Sequence, residues 1–359
     1  MRILFISRAY PPVTGGIENQ NYALSVWLAR FASVTTLANH HGKKALPFFL
    51  PYVAVRTLLT ASRYDAILLG DGVLAIVGYL VKLVYPQKKV ASIAHGLDLT
   101  YPNALYQTLW VRHFLPALDK LIAVSQETRA AAIAKHIPGD QVIVIPNGVE
   151  PEALQGEYTR QDLEKLLGDN LSEKQVLLTT GRLAKRKGAA WFIREVLPRL
   201  PKTVLYVLAG AGPEQENIEA AIRDTGATGQ VRMLGRVSDN DRNLLLNTAD
   251  IFIQPNIPVA GDMEGFGIAV IEATACKRPV VASDLEGLKD AICHNESGLL
   301  VEPENAQAFE EAIMPLVENE AKRRDLGERA FRYTETHYHW NIVARLYIEA
   351  LSALTKKTP

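Results

Sequence analysis

The chain has 359 residues, of which 48% are hydrophobic and 22% are charged, a balance typical of a soluble protein with sizeable buried cores. This length favours two domains, and two cysteines exclude a disulfide framework and favour a reducing compartment. The net charge is zero, but residues 1–150 hold 14 Lys and Arg against 8 Asp and Glu. A basic first half favours an anionic partner, although no basic stripe laced with aromatic residues indicates nucleic acid.

The first half alternates short apolar runs with helix-length amphipathic stretches, of which the clearest is 17–31. This alternation predicts a parallel sheet with helices on both faces. The opening MRILFIS predicts a buried first strand and not a secretory signal. The apolar stretch 66–85 is interrupted by Asp71 and Lys82, so no membrane span is predicted there. Strands are predicted at 2–7, 33–38, 66–70, 90–96, 120–125 and 142–148.

Residues 41–64 combine apolar side chains with basic ones and contain no acidic residue. Two interpretations remain open at this point. An interfacial patch that contacts anionic lipid has this composition, and so does a solvated helix face beside a core. The basic residues of this stretch are Lys43, Lys44, Arg56 and Arg63.

The pattern breaks at 150–172, which is polar, has no predicted strand and is typical of a linker with a short helix. The alternation then restarts, and 305–357 is predicted to be helical throughout. Two doubly wound domains imply a cleft between them, and ligands of such sheets bind beyond the carboxyl ends of the strands. Strands of the second half are predicted at 175–181, 203–210, 231–235, 251–255, 279–283 and 298–303.

Two of the loops that follow strands carry features suited to an anion. Gly15 and Gly16 precede a predicted helix, whose N-terminal amides favour an anion, although a plain turn explains them equally well. The segment GRLAKRKG follows the first strand of the second half, and in it Arg182 and Lys187 come after Gly181. An arginine can bind two phosphate oxygens and a lysine adds a point charge. A loop that binds a phosphate group is therefore favoured over a solvated basic loop.

Two further loops give weaker signals. LAGAGPE, at 208–214, lacks the third glycine of a dinucleotide fingerprint, so Gly210 is interpreted as part of a tight turn that lines the cleft. His95 follows an apolar strand and can bind a substrate by a hydrogen bond, but such a histidine is more often structural. The remaining histidines show no metal-ligand spacing, and no phosphate-binding loop or nucleophile elbow is found.

The segment EGFGIAVIEATA, at 264–275, holds two glutamates eight residues apart. A helix is predicted to begin near Gly267, with Glu272 more than a turn inside it and Glu264 before it. Eight residues along a helix turn by about 80° and rise by about 12 Å, whereas the carboxylates of a retaining glycosidase lie about 5 Å apart. Two carboxylates that contact different parts of one extended ligand are therefore favoured over a catalytic pair.

These segments occur in an order and spacing that resemble the family-4 retaining glycosyltransferases of GT-B fold, from residue 1 to about 345. The resemblance implies an α/β fold, with two doubly wound, Rossmann-like parallel-sheet domains facing across a deep cleft. Residues 1–165 would bind the acceptor, residues 166–337 would bind the nucleotide-sugar, and a last helix, about 338–357, would cross back onto the first domain with Trp340 packing it. The segments are PPVTGGIE, HGLD, AVS, IPNGVE, GRLAKRKG, GAGPE, LGRVSD, EGFGIAVIEATA, RPVVASD and SGLLVEP.

The resemblance also implies roles for individual residues. Arg182 and Lys187 would neutralise the donor diphosphate, Glu272 would accept hydrogen bonds from the ribose hydroxyls, and Glu264 and His95 would lie near the transferred sugar. Backbone groups would contact the other parts of the donor, and the backbone of Val237 would contact its nucleotide base. By this resemblance the catalytic residues are His95, Arg182, Lys187 and Glu264, and the donor-binding residues are Gly15, Gly16, Gly181, Arg182, Lys187, Gly210, Val237, Glu264, Gly265, Phe266, Gly267, Ile268 and Glu272.

The implied reaction is the transfer of a hexose-type sugar from a UDP- or GDP-sugar to a glycan or lipid-linked acceptor, with retention of configuration. It needs no metal or other cofactor, and it suits cell-envelope, lipopolysaccharide or exopolysaccharide synthesis. The expected location is cytoplasmic, with peripheral contact to an anionic membrane through the first domain. Other GT-B enzymes, such as a sugar-nucleotide epimerase, and a non-catalytic nucleotide-sugar binding protein are the alternatives. The chain departs from the family pattern at Cys276 and Lys277.

Overall fold

The computed structural model describes residues 1–13 and 15–356. All twelve predicted strands are found within this part of the chain, each within a few residues of its predicted bounds. They are β1 (Arg2–Ser7), β2 (Ser33–Ala38), β3 (Ala66–Leu69), β4 (Lys89–Ala94), β5 (Lys120–Ala123), β6 (Val142–Val144), β7 (Gln175–Thr180), β8 (Val204–Ala209), β9 (Val231–Gly235), β10 (Ile251–Gln254), β11 (Val280–Ser283) and β12 (Leu299–Val301).

Helices separate the strands, and several of the short ones continue into 3₁₀ or π turns. The predicted helical end of the chain consists of three helices, and the predicted end at 357 lies outside the described residues. The helices are α1 (Gly16–Leu28), α2 (Leu46–Thr60), α3 (Ala75–Val84), α4 (Leu97–Thr100), α5 (Ala104–Tyr106), α6 (Gln126–Ala134), α7 (Pro151–Leu154), α8 (Arg160–Leu167), α9 (Ala189–Trp191), α10 (Gln215–Thr225), α11 (Asp239–Thr248), α12 (Ile268–Ala275), α13 (Leu288–Ala291), α14 (Ala306–Glu318), α15 (Glu320–His337) and α16 (Trp340–Thr355).

The first sheet has the strand order β2-β1-β3-β4-β5-β6, and its strands pair in parallel. Its central strands are apolar runs buried on both faces, as the sequence Ala66–Leu69 illustrates. Edge strand β2 alternates exposed and partly buried side chains, which is the pattern expected at an edge. The strand order reverses direction between β1 and β3, so the loops after these two strands form the switch point at which such sheets bind ligands.

The second sheet has the order β12-β11-β10-β7-β8-β9 and is also parallel throughout. Its core includes Phe192, whose ring contacts those of Tyr206 and Phe309. The order reverses between β7 and β10, so the loops after these strands form the second switch point. The predicted fold class, two doubly wound parallel sheets, is confirmed.

The chain forms two compact units. The first comprises Met1–Gly148, Gly261–Phe266 and the residues from Trp340 onward, and the second comprises Val149–Ala260 and Gly267–His339. These units differ from the predicted domain bounds at 149–165 and at Gly261–Phe266. Helix α16 packs on α1 within the first unit, and a Cβ added to Gly148 would lie 2.4 Å from Cδ2 of Trp340, so this glycine makes room for the indole.

Candidate functional site

In the second unit, the basic loop follows β7, the strand at the switch point. Gly181, at φ +112°, turns the chain away from the strand end. The side chain of Arg182 is exposed and makes no hydrogen bond or ion pair with any residue in the described part of the chain. Lys187 is buried at the end of a single 3₁₀ turn. A free guanidinium and a buried ammonium on one short loop provide two cations for an anionic ligand.

The loop after β8 supports the basic loop by backbone contacts. The amide of Gly181 donates to the carbonyl of Ala209 at 3.0 Å, and that of Leu183 donates to Ala211 at 3.1 Å. A Cβ on Gly210 would lie 1.7 Å from the carbonyl oxygen of Gly181, and one on Gly212 would lie 2.2 Å from that of Leu183. The glycines of GAGPE therefore allow two loops to pack closely, which is a structural reason for Gly210 that the sequence did not show.

The loop after β10 supports the basic loop from the other side. Gly188, at φ +67°, lies so close to this loop that an added Cβ would be 1.8 Å from the carbonyl oxygen of Pro255. The amide of Ile257 donates to the carbonyl of Arg186 at 2.9 Å. The loop itself is held by buried amides, because Nε2 of Gln254 donates to Oδ1 of Asn256 at 2.6 Å. The two cations therefore stand on a rigid base, which lowers the cost of ordering them around a ligand.

The helix that carries Glu272 begins at Ile268, as the sequence predicted. Gly267 is its N-cap at φ +98°, and the first amides of α12 have no partner within the helix, as at every helix N-terminus. Glu272 lies in the second turn and is partly buried. Burial raises the pKa of its carboxyl above the ordinary value, against the opposing effect of Arg242 and with a smaller contribution from Asp239. An acceptor held in this way can bind the hydroxyl groups of a ligand.

Val237 precedes α11, the helix that bears both charged neighbours of Glu272. Ser238 caps this helix by accepting a hydrogen bond from the amide of Asp241 at 3.1 Å, and it fixes the turn that contains Val237. Arg242 lies one turn inside α11, 3.4 Å from Asp239. The structure thus places Val237 and the surroundings of Glu272 on adjoining parts of the second unit.

In the first unit, His95 follows β4 and is fixed at its ring. Its Nε2 lies 3.0 Å from the carbonyl oxygen of Gly70, and because a carbonyl only accepts, Nε2 carries the proton. The backbone amide of His95 donates to Oδ1 of Asp98 at 2.9 Å, and that of Gly72 donates to Oδ2 at 3.0 Å. The histidine therefore has a defined orientation.

A buried acidic cluster that no sequence motif indicated supports His95. Burial raises the pKa of Asp98, and the neighbouring Asp71 acts in the same direction, while His95 and the backbone amides oppose them. Asp71 is itself buried and pairs with Arg8 at 2.9 Å, so the charges of this pair offset each other. Tyr106 donates to the carbonyl of Asp98 at 3.0 Å. The loops after β1, β3 and β4 are thus joined through polar side chains.

Glu264 belongs to the first unit together with His95. Within this unit, Gly265 lies against the loop of His95, because a Cβ on Gly265 would be 2.1 Å from the His95 carbonyl oxygen. Oγ1 of Thr128 donates to the carbonyl of Gly265 at 3.4 Å. Glu264 and Phe266 on either side are buried. The structure therefore brings Glu264 and Gly265 to the histidine loop.

The paired glycines open a helix, as the sequence predicted. Helix α1 begins at Gly16, Gly15 is its N-cap, and the carbonyl of Gly15 accepts the first helical hydrogen bond from Asn19 at 3.1 Å. The neighbouring residue 14 lies outside the described part of the chain. The roles of Gly15 and Gly16 in donor binding stay predictions.

The predicted site residues fall into two groups, each at the carboxyl ends of a sheet's strands. His95, Gly15, Gly16, Glu264, Gly265 and Phe266 belong to the first unit, and Gly181, Arg182, Lys187, Gly210, Val237, Gly267, Ile268 and Glu272 belong to the second. Within residues 1–13 and 15–356, no group of three or more His, Cys, Asp or Glu side chains could hold a metal ion.

Two family models match the chain, one in each half. The model of the family described as Glycosyltransferase Family 4 matches residues 5–153, and that described as Glycosyl transferases group 1 matches residues 167–333. The chain is 31% identical to the N,N'-diacetylbacillosaminyl-diphospho-undecaprenol alpha-1,3-N-acetylgalactosaminyltransferase of Campylobacter jejuni, over 74% of this chain and 70% of that protein.

Two further proteins are similar to this chain over most of its length. The amylovoran biosynthesis glycosyltransferase AmsK of Erwinia amylovora is 28% identical over 78% of this chain and 68% of its own length. The crystal structure of Anabaena HepE in complex with UDP superimposes with a TM-score of 0.80 at 22% identity, covering 98% of this chain and all of that one, and shows the shared fold. The chain therefore belongs to the family-4 glycosyltransferases of GT-B fold, and it is a nucleotide-sugar-dependent glycosyltransferase.

Proposed function

We propose that the enzyme transfers a hexose-type sugar, with retention of configuration, from a UDP- or GDP-sugar to a glycan or lipid-linked acceptor. The observation that carries the proposal is the basic loop after β7, with exposed Arg182 and buried Lys187 fixed by the two neighbouring loops. A cell-envelope or exopolysaccharide pathway is supported by relatives whose names specify a diphospho-undecaprenol acceptor and amylovoran biosynthesis. Such an acceptor would be found at the inner face of a membrane.

The proposed chemistry depends on charge that develops on the leaving group. As the bond between the sugar and the β-phosphate breaks, negative charge accumulates on the diphosphate. Arg182, Lys187 and the first amides of α12 would stabilise that charge, and the loop backbone that carries the two cations is already fixed by its neighbours. Two cations would then serve the diphosphate without a metal ion, so activity in the presence of a chelator is part of the proposal.

The acceptor hydroxyl would attack on the face from which the diphosphate leaves and pass its proton to a phosphate oxygen, so that no enzymic nucleophile is needed. Glu272 would accept hydrogen bonds from the ribose hydroxyls. His95, whose Nε2 proton is held by Gly70, and Glu264 would orient the sugar and the acceptor. Nuclear magnetic resonance of the product tests retention, since the anomeric coupling constant of the transferred sugar must match that of the donor.

Donor binding tests the central claim directly. Calorimetry or thermal shift with UDP-, GDP- and ADP-sugars should identify at least one donor. Arg182→Ala should weaken its binding by about 10- to 100-fold, because a hydrogen bond to a charged group is worth about 1.5–3 kcal/mol. Lys185→Ala is the matched control, since Lys185 is an exposed cation of the same loop. Equal effects of the two substitutions, or no binding of any donor, would refute the proposal.

A further inference from the structure

One surface of the first unit has no place in the reaction described above. Lys43–Arg63, which contains α2, is long and apolar enough to cross a membrane by length and composition. The structure shows it lying on the unit instead, because Phe49, Val53 and Thr57 on its inner face are buried in the core. The segment therefore packs on the core along one face only, and its other face is exposed.

The outer face of α2 is an apolar stripe. Phe48 is 80% exposed and Leu59 is 74% exposed, and Tyr52 and Val55 between them are also exposed. At about 100° per residue these four positions fall within about 60° of the helix circumference, and they extend over about 16 Å. Scattered exposed apolar residues are common, but a continuous stripe on an ordered helix marks an interaction surface.

The charges around the stripe are all positive. Lys43, Lys44, Arg56 and Arg63 are exposed, and no acidic residue occurs between Glu18 and Asp65. Asp65 itself accepts hydrogen bonds from the backbone amide and the guanidinium of Arg2, so its charge is compensated. A second copy of the chain would bring these like charges together, whereas an anionic surface complements them.

The end of α3 extends the surface. Leu83, Val84 and Tyr85 are exposed there, and the hydroxyl of Tyr85 donates to the carbonyl of Leu58 at 3.2 Å, which fixes α3 beside α2. The nearby acid Asp119 is paired with Lys82 and Lys89. The apolar area thus continues past Leu59 without an uncompensated negative charge.

We infer that this surface, formed by the outer face of α2 with its basic flanks and the end of α3, docks the enzyme on a bilayer rich in anionic lipid. The apolar stripe lies in the plane of the interface among the acyl-chain ends, and the four cations contact lipid headgroups, as in other interfacial helices. The inference goes beyond the transfer reaction and does not depend on it, since the surface contains none of the residues assigned to the donor or the sugar.

Sedimentation of the full chain with phosphatidylcholine vesicles, with and without phosphatidylglycerol, tests the inference in the absence of any sugar donor. Binding should require phosphatidylglycerol and weaken as salt is added. Lys44→Gln with Arg56→Gln should weaken it by about 25-fold, since each basic side chain near an anionic surface contributes about fivefold. Phe48→Ser with Leu59→Ser should weaken it by tenfold or more, because two large apolar groups no longer enter the interface.

The matched control is Val26→Ser with Ile133→Ser, which removes two exposed apolar side chains of the same unit outside this surface and should leave vesicle binding unchanged. Cooperative urea unfolding of each variant shows that it is folded. Equal vesicle binding by the wild type and the Phe48/Leu59 variant would overturn the inference. So would a change from dimer to monomer in that variant with no vesicle binding by the wild type, because the surface would then join two copies.

Discussion

Glu272→Gln is expected to stabilise the unliganded protein and to weaken donor binding. The carboxylate of Glu272 is partly buried in α12, and burial raises its pKa by more than the nearby Arg242 lowers it. The charged form therefore carries a desolvation cost in the folded state that the neutral glutamine does not have. In the proposed complex, the same charge strengthens the hydrogen bonds that Glu272 accepts from the ribose.

The pH dependence of this effect has a definite sign. In the unfolded chain the carboxyl titrates near its ordinary pKa of about 4.3, and in the folded protein it titrates at higher pH. Below the unfolded pKa both states are protonated and the residue contributes nothing. As pH rises through the folded pKa, the destabilisation becomes complete, at about 1.4 kcal/mol for each unit by which folding raises the pKa. The stability gain of Glu272→Gln should therefore be present at neutral pH and vanish in acid.

Urea unfolding across this pH range and calorimetric donor titration measure the two effects. Donor affinity should fall by about 10- to 100-fold, the equivalent of one hydrogen bond to a charged group. Glu335→Gln, at an exposed glutamate of α15, is the matched control and should change neither quantity. A variant that is less stable than the wild type at neutral pH, or that binds the donor equally well, would refute the reasoning.

Two other predictions concern stability. Gly188→Ala and Gly226→Ala share a φ of +67°, but only Gly188 lies against another loop, at Pro255. In urea unfolding, Gly226→Ala should lower the free energy of unfolding by about 1 kcal/mol, the cost of the left-handed conformation. Gly188→Ala should lower it by more and should also weaken donor binding. Equal losses of stability would contradict the support of the basic loop by the loop of Pro255. Arg8→Met should lower the free energy of unfolding by about 3–5 kcal/mol, because buried Asp71 loses its partner. Adding Asp71→Asn to this variant should restore part of the lost stability. No restoration would show that packing by Arg8 dominates.

The strands were predictable because their signal is local. A run such as RILFIS is apolar and β-branched along its whole length, and it is buried as the centre of a parallel sheet. The ends were less predictable, and the strand expected at 142–148 stops at Val144. Pro146 has no amide to donate to a ladder, and the backbone amide and carbonyl of Gly148 bond to the side chain of Gln20 instead. The order of the strands depends on contacts between distant segments, which no local pattern encodes.

The basic loop was predictable from its charges, but its support was not. The sequence GRLAKRKG shows Arg182 and Lys187, whereas the need for glycine at 188 arises from the carbonyl of Pro255, far along the chain. Gly210 likewise has a packing role against the Gly181 carbonyl in addition to any contact with a donor. A glycine that allows close packing of two loops gives the same sequence signal as one that admits a ligand.

The acidic cluster of the first unit was overlooked although its members were visible. In the sequence, Asp71 stands out only because it interrupts an apolar stretch, and Asp98 only because it belongs to the segment HGLD. The structure shows both buried beyond the ends of neighbouring strands, Asp71 paired with Arg8 and Asp98 accepting from the amides of Gly72 and His95. A single charged residue directly after an apolar strand was the available signal, and partners so distant along the chain could not be assigned from it.

The two glutamates of EGFGIAVIEATA stay a prediction as ligand contacts, but the structure gives their separation a different physical basis. Helix geometry alone suggested separate roles for its two glutamates. In the structure the segment passes from one compact unit to the other after Phe266, so that Glu264 is fixed beside the His95 loop and Glu272 in α12 of the second unit. The two glutamates thus belong to different units. Substitution of Glu272 should act on the affinity for the donor, whereas Glu264→Gln should act on turnover at saturating donor, and equal effects of both on turnover would contradict this division.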